Sequence, residues 1–155
     1  MGVEPGALNT SSLFARLKEP ERYILRGRFK LDPVHHQMAY LYFRANPATR
    51  RCYVIGNGFQ TGVCLSREED DAPPLIFGPF ALVGRPLAQR RFPFRNNRWY
   101  DFTLVVTPER VDYYVDGGWM LRYEGEFQFP PGRVGIGSFG AAPTYFDDLA
   151  VYEQR

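Results

Sequence analysis

Between Trp99 and Tyr123, in WYDFTLVVTPERVDYYVDGGWMLRY, apolar and polar positions alternate one for one. Phe102, Leu104 and Val106 fall on one side of the first run, and Asp101, Thr103 and Val105 on the other. After the turn-forming Thr107-Pro108-Glu109, Val111, Tyr113 and Val115 alternate with Asp112, Tyr114 and Asp116. A period of two residues marks half-buried strands, and Asp-Gly is a dipeptide that tolerates positive φ in a tight hairpin. The stretch therefore predicts an antiparallel meander that turns at Asp116-Gly117.

The same rhythm runs through most of the chain. A polar lead, residues 1–12, is expected to be loosely ordered. Leu13 to Leu17 reads as an edge strand stopped by Lys18-Glu19-Pro20. Tyr23, Leu25, Gly27, Phe29 and Leu31 alternate with Ile24, Arg26, Arg28 and Lys30, and Asp32-Pro33 ends that strand. Ala39, Leu41 and Phe43 alternate with Tyr40, Tyr42 and Arg44 ahead of a turn at Asn46-Pro47. Arg51–Ile55 and Gly62–Ser66 read as a hairpin around Gly56-Asn57-Gly58. An acidic loop follows from Glu68 to Asp71, then a broken apolar run, Leu75–Val83, with one short strand. Phe92 and Phe94 anchor the approach to the meander. Beyond it come a turn at Pro130-Pro131-Gly132, a glycine-rich strand Arg133–Ser138 and a closing strand Tyr145–Glu153. About eleven short strands with regularly spaced turns indicate an all-β sandwich. No linker or repeat divides residues 1–155, which read as a single domain.

Composition sharpens this picture without changing it. Aromatics make up 16% of the chain, with 13 Pro and 15 Gly, which suits pleated surfaces punctuated by turns. A domain of 155 residues buries roughly 68–70% of its unfolded surface, enough for a core without staples. The net charge of +2 is too small to imply a polyanionic partner. Arg90 to Trp99 interleaves Arg with Phe, but no nucleic-acid module signature accompanies it, and the reading is against a nucleic-acid partner. No apolar run reaches the ~18 residues of a membrane span. The opening MGVEPGALNTSS lacks the basic and apolar regions of a secretory signal.

Trp99 at a strand start, VDYYVDGGWMLRY, PPGRVGIGSFG and the terminal FDDLAVYE together resemble the C-terminal half of concanavalin A-like lectin/glucanase domains. The resemblance runs from Trp99 to Tyr152 and is nearest to the laminin G-like and 3-keto-disaccharide-hydrolase-like branches. It implies a jelly roll of two antiparallel sheets, one curved to hold an extended sugar. That fold hosts lectins, glycosidases and adhesive modules; together with the aromatic outward faces, the resemblance points to a non-catalytic carbohydrate- or glycoconjugate-binding module, lectin-like, adhesive or accessory to an enzyme. Two alternatives stand beside it: a glycoside-cleaving hydrolase of the 3-keto-disaccharide type, and an assembly protein that meets a protein partner and uses the sandwich as a scaffold. The resemblance requires no cofactor. It allows a structural calcium ion near Asp147, the residue matching the family's acid at the start of the closing strand.

Sugar recognition needs flat apolar surface with a few polar groups to fix orientation. If the alternation assigns faces correctly, the outward set is Arg26, Arg28, Tyr40, Tyr42, Arg44, Tyr53, Asp101, Thr103, Asp112 and Tyr114. Glycoside cleavage asks for paired carboxyls, and the one same-face pair on a strand is Glu124 and Glu126. Cys52 and Cys64 flank Gly58 symmetrically; a disulfide and free thiols are equal alternatives, and a pair favours an extracellular or cell-envelope location. His35 and His36 are adjacent, so on a strand they face opposite ways, and a loop position fits them better.

Overall fold

The computed structural model describes residues 9–32, 37–58, 62–68, 86–140 and 144–155. These form eleven β-strands: β1 (Asn9–Phe14), β2 (Tyr23–Leu31), β3 (Met38–Asn46), β4 (Arg51–Gly58), β5 (Gly62–Glu68), β6 (Ala88–Arg90), β7 (Trp99–Val106), β8 (Arg110–Val115), β9 (Gly118–Glu124), β10 (Arg133–Gly140) and β11 (Thr144–Glu153). They pair antiparallel throughout, in a six-stranded front sheet ordered β1-β10-β3-β4-β5-β6 and a five-stranded back sheet ordered β11-β2-β7-β8-β9. The fold is a jelly-roll β-sandwich.

Alternation explains the inner faces. Phe102, Leu104 and Val106 from β7, Val111, Tyr113 and Val115 from β8, and Phe29 and Leu31 from β2 all point between the sheets, each at most 2% exposed. Ala39, Leu41 and Phe43 answer them from β3, Tyr53 and Ile55 from β4, all fully buried. The meander closes as its sequence requires: Asp116 and Gly117 take φ of 49° and 76°, consecutive left-handed residues that match the twist of the flanking strands. The Asp116 carboxylate also accepts the Asp101 N–H at 2.9 Å, tying the turn to β7.

The front sheet is apolar on both faces. Every residue of β3 from Met38 to Ala45 is buried, and Tyr40, Tyr42, Cys52, Val54, Cys64 and Phe139 make a second cluster on the sheet's outer side. Strands buried on both faces carry little polarity contrast, which is why MAYLYF and CYVI resist a face assignment from sequence.

Three expectations change. The lead is not loose up to residue 12: β1 begins at Asn9 and pairs with β10, setting Leu13 opposite Ile136. Of the expected Leu13–Leu17 strand, β1 keeps only Leu13 and Phe14. The hairpin does not turn at Gly56-Asn57-Gly58, because β4 continues through them and Gly58 pairs with Gly62. Asn57 stays in the strand because its buried amide bridges the sandwich, donating to Ala39 O at 3.2 Å and accepting the Tyr113 hydroxyl at 2.8 Å. The shifted turn separates the cysteines: Cys52 lies opposite Glu68 and Cys64 opposite Gly56. That offset of four residues along the strand is ~13 Å, far beyond the ~4.4–6.8 Å between bridged Cα atoms. Both thiols are free and buried, so the argument for an oxidising compartment falls. The histidine pair, residues 69–71 of the acidic loop and the Leu75–Val83 run lie outside the described residues.

Burial pushes the Cys64 thiol from 9.0 up to about 12. It raises Cys52 further, with Glu68 adding to the effect. A raised thiol pKa means the native state holds the proton more tightly than the unfolded chain. The stabilisation is complete below pH 9.0 and is lost as pH rises toward about 12. We expect neither thiol to react with iodoacetamide in the native protein at about pH 8 and both to react in urea. Cys64→Ala should flatten the alkaline fall in stability. Rapid labelling of native Cys64 would contradict this placement.

Candidate functional site

The expected ligand residues separate into distinct places. Tyr40 and Tyr42 lie on the outer side of the front sheet at 2% and 6% exposure, packed among Met38, Phe14 and each other. They do not face solvent, because that side of the sheet is itself a buried apolar layer. Tyr53 points inward instead of outward. Its ring stacks on Phe43 at 5.3 Å and meets Phe127 edge-on at 5.2 Å, and its hydroxyl accepts the Gln128 N–H at 2.8 Å. Arg44 leaves the row of Tyr40 and Tyr42. A bulge between Phe43 and Asn46 gives it φ of 48°, and its guanidinium lies 4.4 Å over Phe127 and donates from Nη1 to Phe129 O at 2.9 Å.

The others meet on the outer face of the back sheet. Register sets Arg28 beside Asp101, Arg26 beside Thr103, and Thr103 beside Tyr114. Asp112 shares that face but is only 3% exposed. Its carboxylate accepts Arg122 Nε at 2.7 Å and sits 3.0 Å from Arg110 Nε, so it serves as the buried anchor of two arginines.

Two aromatic residues extend this face and were missed as ligand candidates. Trp99 and Tyr145 both lie opposite Lys30 in the register, one on each neighbouring strand. The Lys30 ammonium is 5.2 Å from the Trp99 ring and 4.8 Å from the Tyr145 ring, and the Arg28 guanidinium is 4.8 Å from Trp99. Such cation–π contacts hold rings in place while leaving them at the surface. The sequence did contain the signal: Trp99 is two residues before Asp101, and Tyr145 two before Asp147, on the same strand faces.

Asp147 is engaged. It accepts Arg28 Nη2 at 2.9 Å and the Asp148 N–H at 2.8 Å, and those two contacts, the guanidinium first, hold its carboxyl below the usual range. Calcium takes about six to eight oxygen ligands. A guanidinium occupies this carboxylate, and no group of three or more His, Cys, Asp or Glu converges among the described residues. The residues do not fit the ion that the resemblance allowed. Glu124 and Glu126 do not form a strand-borne pair either. Strand β9 ends at Glu124, and Gly125 follows with φ of 146°.

No protein-family model and no curated protein matches this sequence. Solved structures do match its fold. The carbohydrate-binding module CBM66 from Bacillus subtilis aligns with a TM-score of 0.74 at 13% identity, over 98% of this chain and 85% of that one. The carbohydrate recognition domain of Emp46p in its metal-free form gives 0.70 at 11% identity, over 96% and 79%. A variant of human galectin-16 gives 0.63 at 11%, over 98% and 97%. At such identities the likeness shows the fold: an all-β lectin-type jelly roll.

Proposed function

We propose that this chain is a non-catalytic carbohydrate-binding module whose sugar platform is the outer face of the back sheet, centred on Trp99. The observation that carries the reading is the placement of two aromatic rings, Trp99 and Tyr145, on either side of Lys30 on one sheet face, with the hydrogen-bonding groups of Arg28, Asp101, Thr103 and Tyr114. Rings offer flat apolar area to the C–H faces of a pyranose, and the polar row fixes its orientation. The named carbohydrate-binding and lectin structures sharing the fold support this use of it. The order of Trp99, the Asp116-Gly117 turn and the closing FDD strand supports the laminin G-like branch within that fold.

A glycan array of the native protein is expected to pick out a defined saccharide set. Trp99→Ala should weaken each hit at least about tenfold, ~1.4 kcal/mol, without changing the unfolding midpoint. An array with no hits, or hits indifferent to Trp99→Ala, sinks the proposal.

A further inference from the structure

A second place on the molecule gathers positive charge. We propose that the cleft at one end of the sandwich, where the β3–β4 and β9–β10 connections meet, binds the sulfate or carboxylate group of an acidic saccharide. The saccharide part of this inference rests on the carbohydrate-binding reading; the anion part does not.

The cleft has a volume of about 590 Å³ and is lined by Lys18, Arg44, Arg51 and Arg133, with no acidic residue among the described residues of its lining. Arg44 is the informative member. It is only 7% exposed, its Nη1 is committed to Phe129 O, and its buried Nε has no hydrogen-bond acceptor. A buried donor on a charged group without a partner is costly, so the Arg44 charge stands incompletely compensated at the cleft wall, where an oxyanion in the cleft would lower that cost through the field of the guanidinium. Stacking on Phe127 holds the guanidinium plane, so its donors are fixed before anything binds.

Glu19 is the buried acid close by, and its oxygens are already taken. It accepts the Tyr23 hydroxyl, the Gly132 N–H at 2.9 Å and the Arg44 backbone N–H, while burial raises its pKa. Its charge also attracts that of Arg44 and offsets part of it, without a hydrogen bond to Nε. The cleft walls are stiff. Asn46 Oδ1 accepts the Ala48 and Thr49 N–H groups at 3.1 and 3.4 Å, and Pro47, Pro130 and Pro131 fix φ in both connections. At about 590 Å³ the space falls within the ~300–1,000 Å³ of small-molecule sites and far exceeds a bare oxyanion. That size is the argument for an anion carried on sugar rings.

The test is calorimetric titration of the full chain with four probes: a sulfated tetrasaccharide, a tetrauronate, a neutral tetrasaccharide and inorganic sulfate. The expected result is binding of at least one acidic tetrasaccharide, at least about tenfold weaker in the Arg51→Ala/Arg133→Ala double variant and unchanged in Trp99→Ala. Both substituted arginines are exposed, so the fold is kept, and the Arg44 Hε NMR signal should shift on saturation. In the Trp99→Ala background, equal binding of the neutral tetrasaccharide, binding unaffected by the double variant, or no binding of either acidic probe overturns the inference. Inorganic sulfate binding as tightly as the sulfated sugar overturns its saccharide part. Array hits lost in Trp99→Ala, together with silent acidic probes, reject this cleft and leave the platform standing.

Discussion

Replacing Tyr53 by alanine is expected to cost the fold about 3–5 kcal/mol, the range for emptying a buried aromatic site. Tyr53 is fully buried and touches four other rings, Phe43, Tyr123, Phe127 and Phe129. Phe127 and Phe129 belong to the β9–β10 connection, so the ring joins the front sheet to that connection as well as filling the core. Tyr53→Phe keeps the ring and removes only the acceptor of the Gln128 N–H, which should cost about 1 kcal/mol. Urea unfolding with unchanged m-values would read both. If the two variants proved equally mild, the packing role would be wrong. Since Phe127 also carries the Arg44 guanidinium, Tyr53→Ala should loosen the end cleft too.

Gly62→Ala should be nearly as damaging for a different reason. Gly62 has φ of +71°, and a Cβ there would lie 2.4 Å from Arg90 O and 2.5 Å from Phe92 N. Both atoms are backbone, so no side chain can swing away; β6 must move off β5. Left-handed strain of ~1–2 kcal/mol plus that displacement gives an expected loss of about 3 kcal/mol or more. Gly117→Ala is the control. Its φ is +76°, yet nothing lies within 4 Å of the added carbon, so strain alone operates, at about 1 kcal/mol. Faster amide exchange at Ala88–Arg90 in Gly62→Ala, but not in Gly117→Ala, would confirm the mechanism. Equal stability losses would show that the steric argument fails.

How legible the chain was depended on where water touches it. The meander could be read residue by residue because β7 and β8 meet solvent on one face, so Asp101, Thr103 and Tyr114 stand out against Phe102, Leu104 and Tyr113. Strands β3 and β4 have no such contrast. Tyr40 and Tyr42 are as buried as Leu41, and Cys52 and Val54 as buried as Tyr53 and Ile55, so polarity offered no way to choose a face. The hairpin turn was misplaced because Gly56-Asn57-Gly58 has turn composition. The long-range bond between Asn57 and Tyr113 keeps that segment extended, and no local pattern encodes it. Arg44 was misread through a bulge, which breaks alternation without a sequence mark. Sheet membership was also hidden. That β2 lies between β7 and β11 follows from long-range pairing, and only this pairing brings Trp99, Lys30 and Tyr145 into one row.

The central claim is that sugar sits on the back sheet around Trp99. Its most direct test is a two-dimensional amide NMR titration with the best saccharide from the array. The account predicts the largest shifts at Trp99, including its indole N–H, and at Arg28, Asp101, Thr103, Tyr114 and Tyr145. Shifts concentrated instead at Tyr40, Tyr42, Val54 and Cys64 would put the ligand on the front sheet and contradict it.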